Sequence, residues 1–267
     1  MITLIGHGYV GQHIAQELHA TSLPFTWISH TDSIPVCTNW IINAAGYTGV
    51  PNVDACEVHR DACIQGNVMW PLKLEQQNPH TPIIHITSGC IYSGYPEGGY
   101  TELDEPDFTF DTGSFYSGSK ALAQQLLLPY MHKSYLFRIR LPFGKKPHTK
   151  NLLTKLEKYP KLINFMNSMT FMDDLARVVC HFIKHKPWPG IYNVTNPGAM
   201  DTKQVADMMG LQKEWFSNQD FLNAVKAPRS NCVLNTQKLQ RVCALMPLSD
   251  VMHQTVTEYR KYMPFSG

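Results

Sequence analysis

The chain has 267 residues, of which 43% are hydrophobic and only 16% charged, against about 25% charged in a typical soluble domain. Its 23 Lys and Arg offset 21 Asp and Glu to leave a net charge of +2, too small a field to recruit nucleic acid or a membrane surface. The apolar share excludes a disordered chain, and seven scattered cysteines without a CxxC pair exclude a disulfide framework and a structural zinc site.

Met1–Ile5 reads as a short apolar strand with no basic segment before it, so no signal peptide is expected. No run approaches the ~18 apolar residues of a membrane span, and a cytoplasmic protein is expected. Residues 13–19 form a helix, with Ile14 and Leu18 four apart on one face. Phe25–Ser29 is a second strand. Trp40–Ala44 is a third, with an apolar run that suits burial on both faces. Cys56–Gln77 is helical in composition, Pro82–Thr87 a fourth strand, Tyr116–Leu128 a helix and Ser134–Leu141 a fifth strand. Only about ten residues separate the second strand from the third, too few for a full crossover helix. Asn151–Tyr159 and Phe171–His185 follow as helices, the second opened by Asp173 and Asp174, whose charges suit a helix N-terminus.

Gly6-His7-Gly8-Tyr9-Val10-Gly11 joins the first strand to the first helix. Glycines there let the backbone approach a pyrophosphate at the helix N-terminus, so Gly6, Gly8, Tyr9, Val10 and Gly11 are candidate cofactor residues. With the alternating elements, this predicts an α/β protein: a Rossmann-like doubly wound parallel sheet carrying a smaller C-terminal substrate-binding lobe. The dinucleotide-binding domain is expected over 1–145, with 160–186 returning to it, and the lobe over 146–159 and 187–267. After the second strand, Asp32 favours the ribose of NAD, whereas Ser29 and His30 suit the phosphate of NADP, and no Lys or Arg precedes Arg60.

Tyr116 and Lys120 lie four apart on one helical face, where an ammonium beside a phenol is expected to lower its pKa and make Tyr116 a proton donor to a carbonyl. Ser88 ends the fourth strand and is placed to hold the same oxygen. Cys90 is two residues on, on the same side if the chain stays extended. Its thiol either exchanges protons beside a ketone or simply packs. His181 and His185 are one helical turn apart but lack further ligands, so no metal is expected. Trp215, Phe216, Phe221, Met246 and Met252 are expected in the core of the lobe.

With its glycine loop and Tyr116-Ser117-Gly118-Ser119-Lys120, the chain resembles the extended short-chain dehydrogenase/reductases. That resemblance implies that Asn43, Ala44, Ala45 and Thr87 line the cofactor, and that Asn67 is structural. Six further segments, 45–54, 89–91, 113–117, 167–170, 195–198 and 227–231, resemble the 3,5-epimerase/4-reductase of UDP-L-rhamnose synthesis found in plants and giant DNA viruses. The family then implies a nicotinamide-dependent enzyme acting on a UDP-4-keto-6-deoxy-glucose. Cys90 is implied as an epimerisation residue, with Lys155 as its partner and His148 ranked behind it. Asn52, Cys90, Asn167, Ser168, Arg229 and Asn231 are implied at the substrate, Arg229 for its diphosphate.

The subfamily suggests NADP(H), with NAD(H) open, because the glycine loop is one residue shorter than usual and the segment after the second strand is truncated. Plant versions fuse a 4,6-dehydratase ahead of this module, so a separate dehydratase is the expected upstream partner, and a homodimer is compatible with the resemblance. The other readings are a 4-reductase only, like dTDP-4-dehydrorhamnose reductase, and a non-catalytic dinucleotide-binding subunit.

Overall fold

A computed structural model describes residues 1–263; the last four residues of the expected lobe lie outside the described residues. Six strands build the main sheet: β1 (Ile2–Ile5), β2 (Phe25–Ile28), β3 (Trp40–Asn43), β4 (Ile83–Ser88), β5 (Tyr135–Ile139) and β6 (Gly190–Asn193). All pair in parallel, in the order β6-β5-β4-β3-β1-β2. The predicted fold class therefore stands. The chain runs outward from β1 to β2, then returns past β1 to β3. The loops after β1 and β3 diverge there, at the carboxyl ends of the strands, where such sheets bind ligands.

Helix α1 (Tyr9–Ala20) and helix α6 (Met172–His185) cover one face of the sheet. Ile14 and Leu18 from α1, and Leu175, Val179 and Phe182 from α6, close a core over Leu4, Ile42, Ile84 and Phe137. Alternate strand residues point the other way. There Ile5, Ile41 and Ile83 meet Leu74. That side carries α2 (Arg60–Ile64), a π turn over Gln65–Met69, α3 (Trp70–Gln77) and α4 (Phe115–Leu127). No helix bridges β2 and β3, as their short spacing required.

The smaller lobe gathers α5 (Leu152–Lys158), α7 (Thr202–Met209), α8 (Asn218–Ala224) and α10 (Leu248–Tyr259), whereas α9 (Gln237–Gln240) packs beside β6 and sends Leu239 into the main core. Its core joins Phe143, Leu153, Phe171, Val205, Met252 and Val256. Besides α9, two further segments depart from expectation. Gly190–Asn193 pairs with β5 rather than joining the lobe, because its buried Tyr192 and Asn193 complete the sheet edge. Leu162, Met169 and Phe171, expected with the first domain, pack in the lobe instead. Of the aromatic and Met-rich tail, Met252 is fully buried and Trp215 partly, while Met246 is 39% exposed.

Candidate active site

The glycine loop answers to close packing. Gly6 has φ +104°, and a Cβ on it would stand 2.8 Å from the Ala45 nitrogen, so the loops after β1 and β3 touch only because it is glycine. Gly11 packs onto the Gly6 carbonyl in the same way. Gly8 differs: nothing lies within 4 Å of where its Cβ would be. It also caps α1 with no side-chain hydrogen bond and no acidic residue in the first turn. An open approach to uncapped amides at the positive end of a helix fits a dinucleotide pyrophosphate.

Tyr9 offers only its backbone there. Its ring is buried, stacked on His148 at 4.5 Å between centroids, and its hydroxyl is buried without a partner. Val10 is half-buried against the main core. At the end of β2, the Ser29 amide donates to the Asp32 carboxylate at 2.7 Å, which draws the carboxylate back onto its own loop. His30 is exposed and sits edge-on to Trp70.

Asn43 ends β3 with its Oδ1 accepting from the Ala45 amide and Trp70 Nε1, which shapes the Ala44-Ala45 turn. Asn67 sits in the π turn and clamps Tyr47 through both its amide and carbonyl at 2.9 Å. Gly46 lies against this clamp: a Cβ on it would be 3.3 Å from Asn67 Oδ1 and from Lys120 Nζ. A π turn at such a point is a frequent mark of a functional site.

Thr87 and Ser88 finish β4, both buried, and α4 brings Tyr116 and Lys120 beside them. Lys120 Nζ is 5.8 Å from the Tyr116 ring centre. Sequence spacing had predicted a lowered tyrosine pKa. Instead, burial pushes the Tyr116 phenol up, with Cys90 adding to the rise and the Ser88 hydroxyl opposing it. Burial also brings Lys120 down to about 8. Desolvation outweighs the attraction expected from spacing, because both groups are under a tenth exposed. The outcome still suits reduction, since a proton donor must hold its proton until the carbonyl takes it.

The extended geometry assumed for Cys90 does not hold. The strand stops at Ser88, whose hydroxyl oxygen accepts the Cys90 amide at 3.1 Å as the chain turns. Cys90 nevertheless packs in one cluster with Tyr116, Tyr47 and the buried Cys56 and Cys63. A charge on its sulfur is felt by both Tyr116 and Lys155. Lys155, on α5, has its pKa lowered by burial and then by Lys150. His148 is committed elsewhere, stacked on Tyr9 with its Nδ1 accepting the Lys150 amide at 3.0 Å.

Most residues assigned to the substrate are engaged by the protein itself. Asn52 caps the 3₁₀ turn Val53–Glu57 by accepting the Asp54 amide at 2.8 Å. Ser168 is fully buried and accepts the Leu234 amide at 2.9 Å. Asn167 is buried and donates to Asn231 Oδ1 at 3.0 Å. The Arg229 fork, expected to be free for a diphosphate, grips the Asp54 carboxylate at 2.7 and 3.0 Å. That bidentate pair tethers segment 227–231 to the wall after β3. Arg140, Asp54 and Lys150 were not anticipated. The last reaches across from the loop before α5 to Thr48 Oγ1 at 2.9 Å and the Gly49 carbonyl at 3.2 Å. Among the described residues, no group of three or more His, Cys, Asp or Glu could hold a metal ion.

The RmlD substrate binding domain model matches residues 32–258. The chain belongs to that family. A bifunctional dTDP-4-dehydrorhamnose 3,5-epimerase/dTDP-4-dehydrorhamnose reductase of Arabidopsis thaliana is 33% identical over 257 residues, covering 87% of this chain and 84% of that protein. A trifunctional UDP-glucose 4,6-dehydratase/UDP-4-keto-6-deoxy-D-glucose 3,5-epimerase/UDP-4-keto-L-rhamnose-reductase of the same plant is 34% identical over 216 residues, 75% of this chain but only 32% of that protein. Among solved structures, a UDP-rhamnose synthase from Acanthamoeba polyphaga mimivirus superposes with a TM-score of 0.88 at 24% identity, over 97% of this chain and 99% of that one. The likeness to that structure shows the fold. Both Arabidopsis relatives carry 3,5-epimerase and reductase names, and among the described residues no helix is long and apolar enough to cross a membrane.

Proposed function

We propose that this chain is a bifunctional 3,5-epimerase/4-reductase that converts a UDP-4-keto-6-deoxy-glucose to UDP-L-rhamnose. The observation that carries the epimerase half is Cys90, packed against the Tyr116 of the reductase pair and within electrostatic reach of Lys155. A reductase alone needs no thiol and no second amine at its carbonyl.

Carbons 3 and 5 flank the ketone, so their hydrogens are acidified. The Cys90 sulfur, as thiolate, takes one of these protons. The C–H electron pair then moves into an enolate whose charge rests on the carbon-4 oxygen, beside the Ser88 and Tyr116 hydroxyls. The Lys155 ammonium returns a proton to the opposite face as the ketone reforms, and a proton passes from the thiol back to the amine through solvent to reset the pair. Its lowered pKa makes Lys155 a better donor than an exposed lysine.

Gly8, the first-turn amides of α1, and Ala44 and Ala45 would hold the nicotinamide dinucleotide, which when bound supplies hydride. Tyr116 gives its proton to the carbon-4 oxygen, and the Lys120 ammonium offsets the phenolate left behind. Because Asp32 is drawn back onto the Ser29 amide, Ser29 and His30 form the ribose end, which favours NADP(H) over NAD(H). The keto-sugar has to come from a 4,6-dehydratase. Seven free cysteines suit a reducing cytoplasm.

The test is turnover of UDP-4-keto-6-deoxy-glucose with NADPH in D₂O, read by NMR. UDP-rhamnose with deuterium at carbons 3 and 5 is expected. Reduced 6-deoxy-sugar with hydrogen kept at both carbons would leave a reductase only. Tyr116→Phe should abolish reduction while cofactor affinity stays within about twofold.

A further inference from the structure

β5 and the residue after it carry two buried arginines, Arg138 and Arg140. Arg138 is fully employed: its Nε donates to Gln124 Oε1 at 2.9 Å, Nη1 to the Thr101 carbonyl and Asn193 Oδ1 at 3.1 and 3.3 Å, and Nη2 to the Glu102 carbonyl at 3.5 Å. Arg140 is different. The residue is 1% exposed and, like Arg138, pairs with no carboxylate among the described residues, but its fork also reaches a sulfur and one of its nitrogens has no partner. Nη1 donates to Ser230 Oγ at 2.6 Å, and Nη2 to the Ser230 carbonyl at 3.1 Å and to Asn167 Oδ1. Nε is buried with no partner. The remaining neighbours of Nη1 are the Gly89 carbonyl and the Cys90 sulfur, each at 3.5 Å.

A buried cation held by neutral oxygens with one N–H left unpartnered is costly, and a negative charge beside it offsets that cost. Among the described residues, the Cys90 sulfur is the one group touching the fork that can carry one; the Tyr95 phenol is near, but it donates to the Met166 carbonyl at 3.0 Å and burial pushes it up. Cys232 is also near, but its thiol donates to the Gly89 carbonyl at 3.4 Å and burial pushes it up, so it stays neutral. Cys90 is half-buried and faces the Tyr116 side.

We infer that Arg140 is a positioning residue for Cys90: its fork fixes the sulfur against Gly89 and supplies the positive charge that steadies it while it carries negative charge during proton exchange. Ser230 and Asn167 orient the fork. This gives the segments around 167 and 230 a task, since they aim Arg140 rather than touch the sugar. The inference rests on the epimerase reading of Cys90.

Three proteins test it: wild type, Arg140→Met and Arg140→Lys. Each is assayed for deuterium entry at carbons 3 and 5 of the keto-sugar, and for NADPH-dependent reduction of a keto-sugar already epimerised. The rate of Cys90 alkylation by iodoacetamide is followed by peptide mass spectrometry. Arg140→Met should lose about 100-fold in exchange, while reduction stays within about tenfold. Its Cys90 alkylation should slow about tenfold, and Arg140→Lys should recover part of both. A merely structural role would move alkylation the other way, because loosening the turn exposes the thiol. Exchange at the wild-type rate, or alkylation as fast as wild type or faster, overturns the inference. No exchange in the wild type would overturn the epimerase reading instead, while the alkylation comparison still judges Arg140. Should Arg140→Met fail to fold, Arg140→Gln keeps hydrogen bonds to Asn167 and Ser230 without the charge and serves the same comparison.

Discussion

Lys120→Met should make this protein more stable and inactive. Lys120 is 7% exposed and, among the described residues, its Nζ makes no hydrogen bond, so the folded state gains little from the ammonium and loses its hydration. A fall in its pKa from 10.5 to about 8, at about 1.36 kcal/mol per pH unit, puts the penalty near 3 kcal/mol at pH 7. The folded value lies below the unfolded one, so the folded state resists the charge. The penalty is complete below about pH 8, shrinks between about 8 and 10.5, and vanishes above. Methionine keeps the length of the stem without the charge, so little cavity is left. Urea unfolding of the cofactor-free protein should show Lys120→Met about 3 kcal/mol more stable at pH 7 and less than about 1 kcal/mol more stable at pH 10. A variant no more stable at pH 7, or one with the same gain at both pH values, would refute the reasoning. Ketone reduction should be lost at either pH, the usual exchange of stability for function at a buried charge.

The same residue sets a pH profile. With Lys120 titrating at about 8, about ten-elevenths of it is charged at pH 7 and about one-eleventh at pH 9, so steady-state reduction should fall about tenfold between them. The glycine loop separates binding from folding. Gly8→Ala, with nothing within 4 Å of its Cβ, should leave the melting temperature within about 2 °C yet weaken NADPH binding at least tenfold by fluorescence titration. Gly11→Ala, which drives a Cβ into the Gly6 carbonyl, should cost about 1–3 kcal/mol in urea unfolding. Cys90→Ala should cost on the order of 10²–10⁴ in deuterium exchange at carbons 3 and 5, while pre-epimerised keto-sugar is still reduced. Wild-type exchange by that variant would remove Cys90 from the chemistry.

The sequence by itself determined the sheet, the glycine loop and the Tyr116–Lys120 pair, because these depend on order along the chain. Strand-length apolar runs alternate with helical ones, Gly6 to Gly11 follow a strand and open a helix, and positions four apart share a helical face. It also showed that the eleven residues between β2 and β3 leave no room for a helix. Tertiary structure alone decided the state of those groups and the neighbours of the rest. Whether Lys120 depresses the phenol, or burial raises it, depends on how much water reaches them, and that is set by segments 43–47, 63–67 and 88–90 folding over α4. Arg229 looked free for a diphosphate until Asp54, 175 residues away, was seen to hold its fork. Arg140 gave no signal at all, since a buried arginine two residues past another on a strand reads as one more basic side chain. Its meaning comes from Gly89, Asn167 and Ser230 converging on it from three separate stretches. Solvent exclusion and long-range pairing are properties of the assembled chain, and no spacing rule along a sequence encodes them.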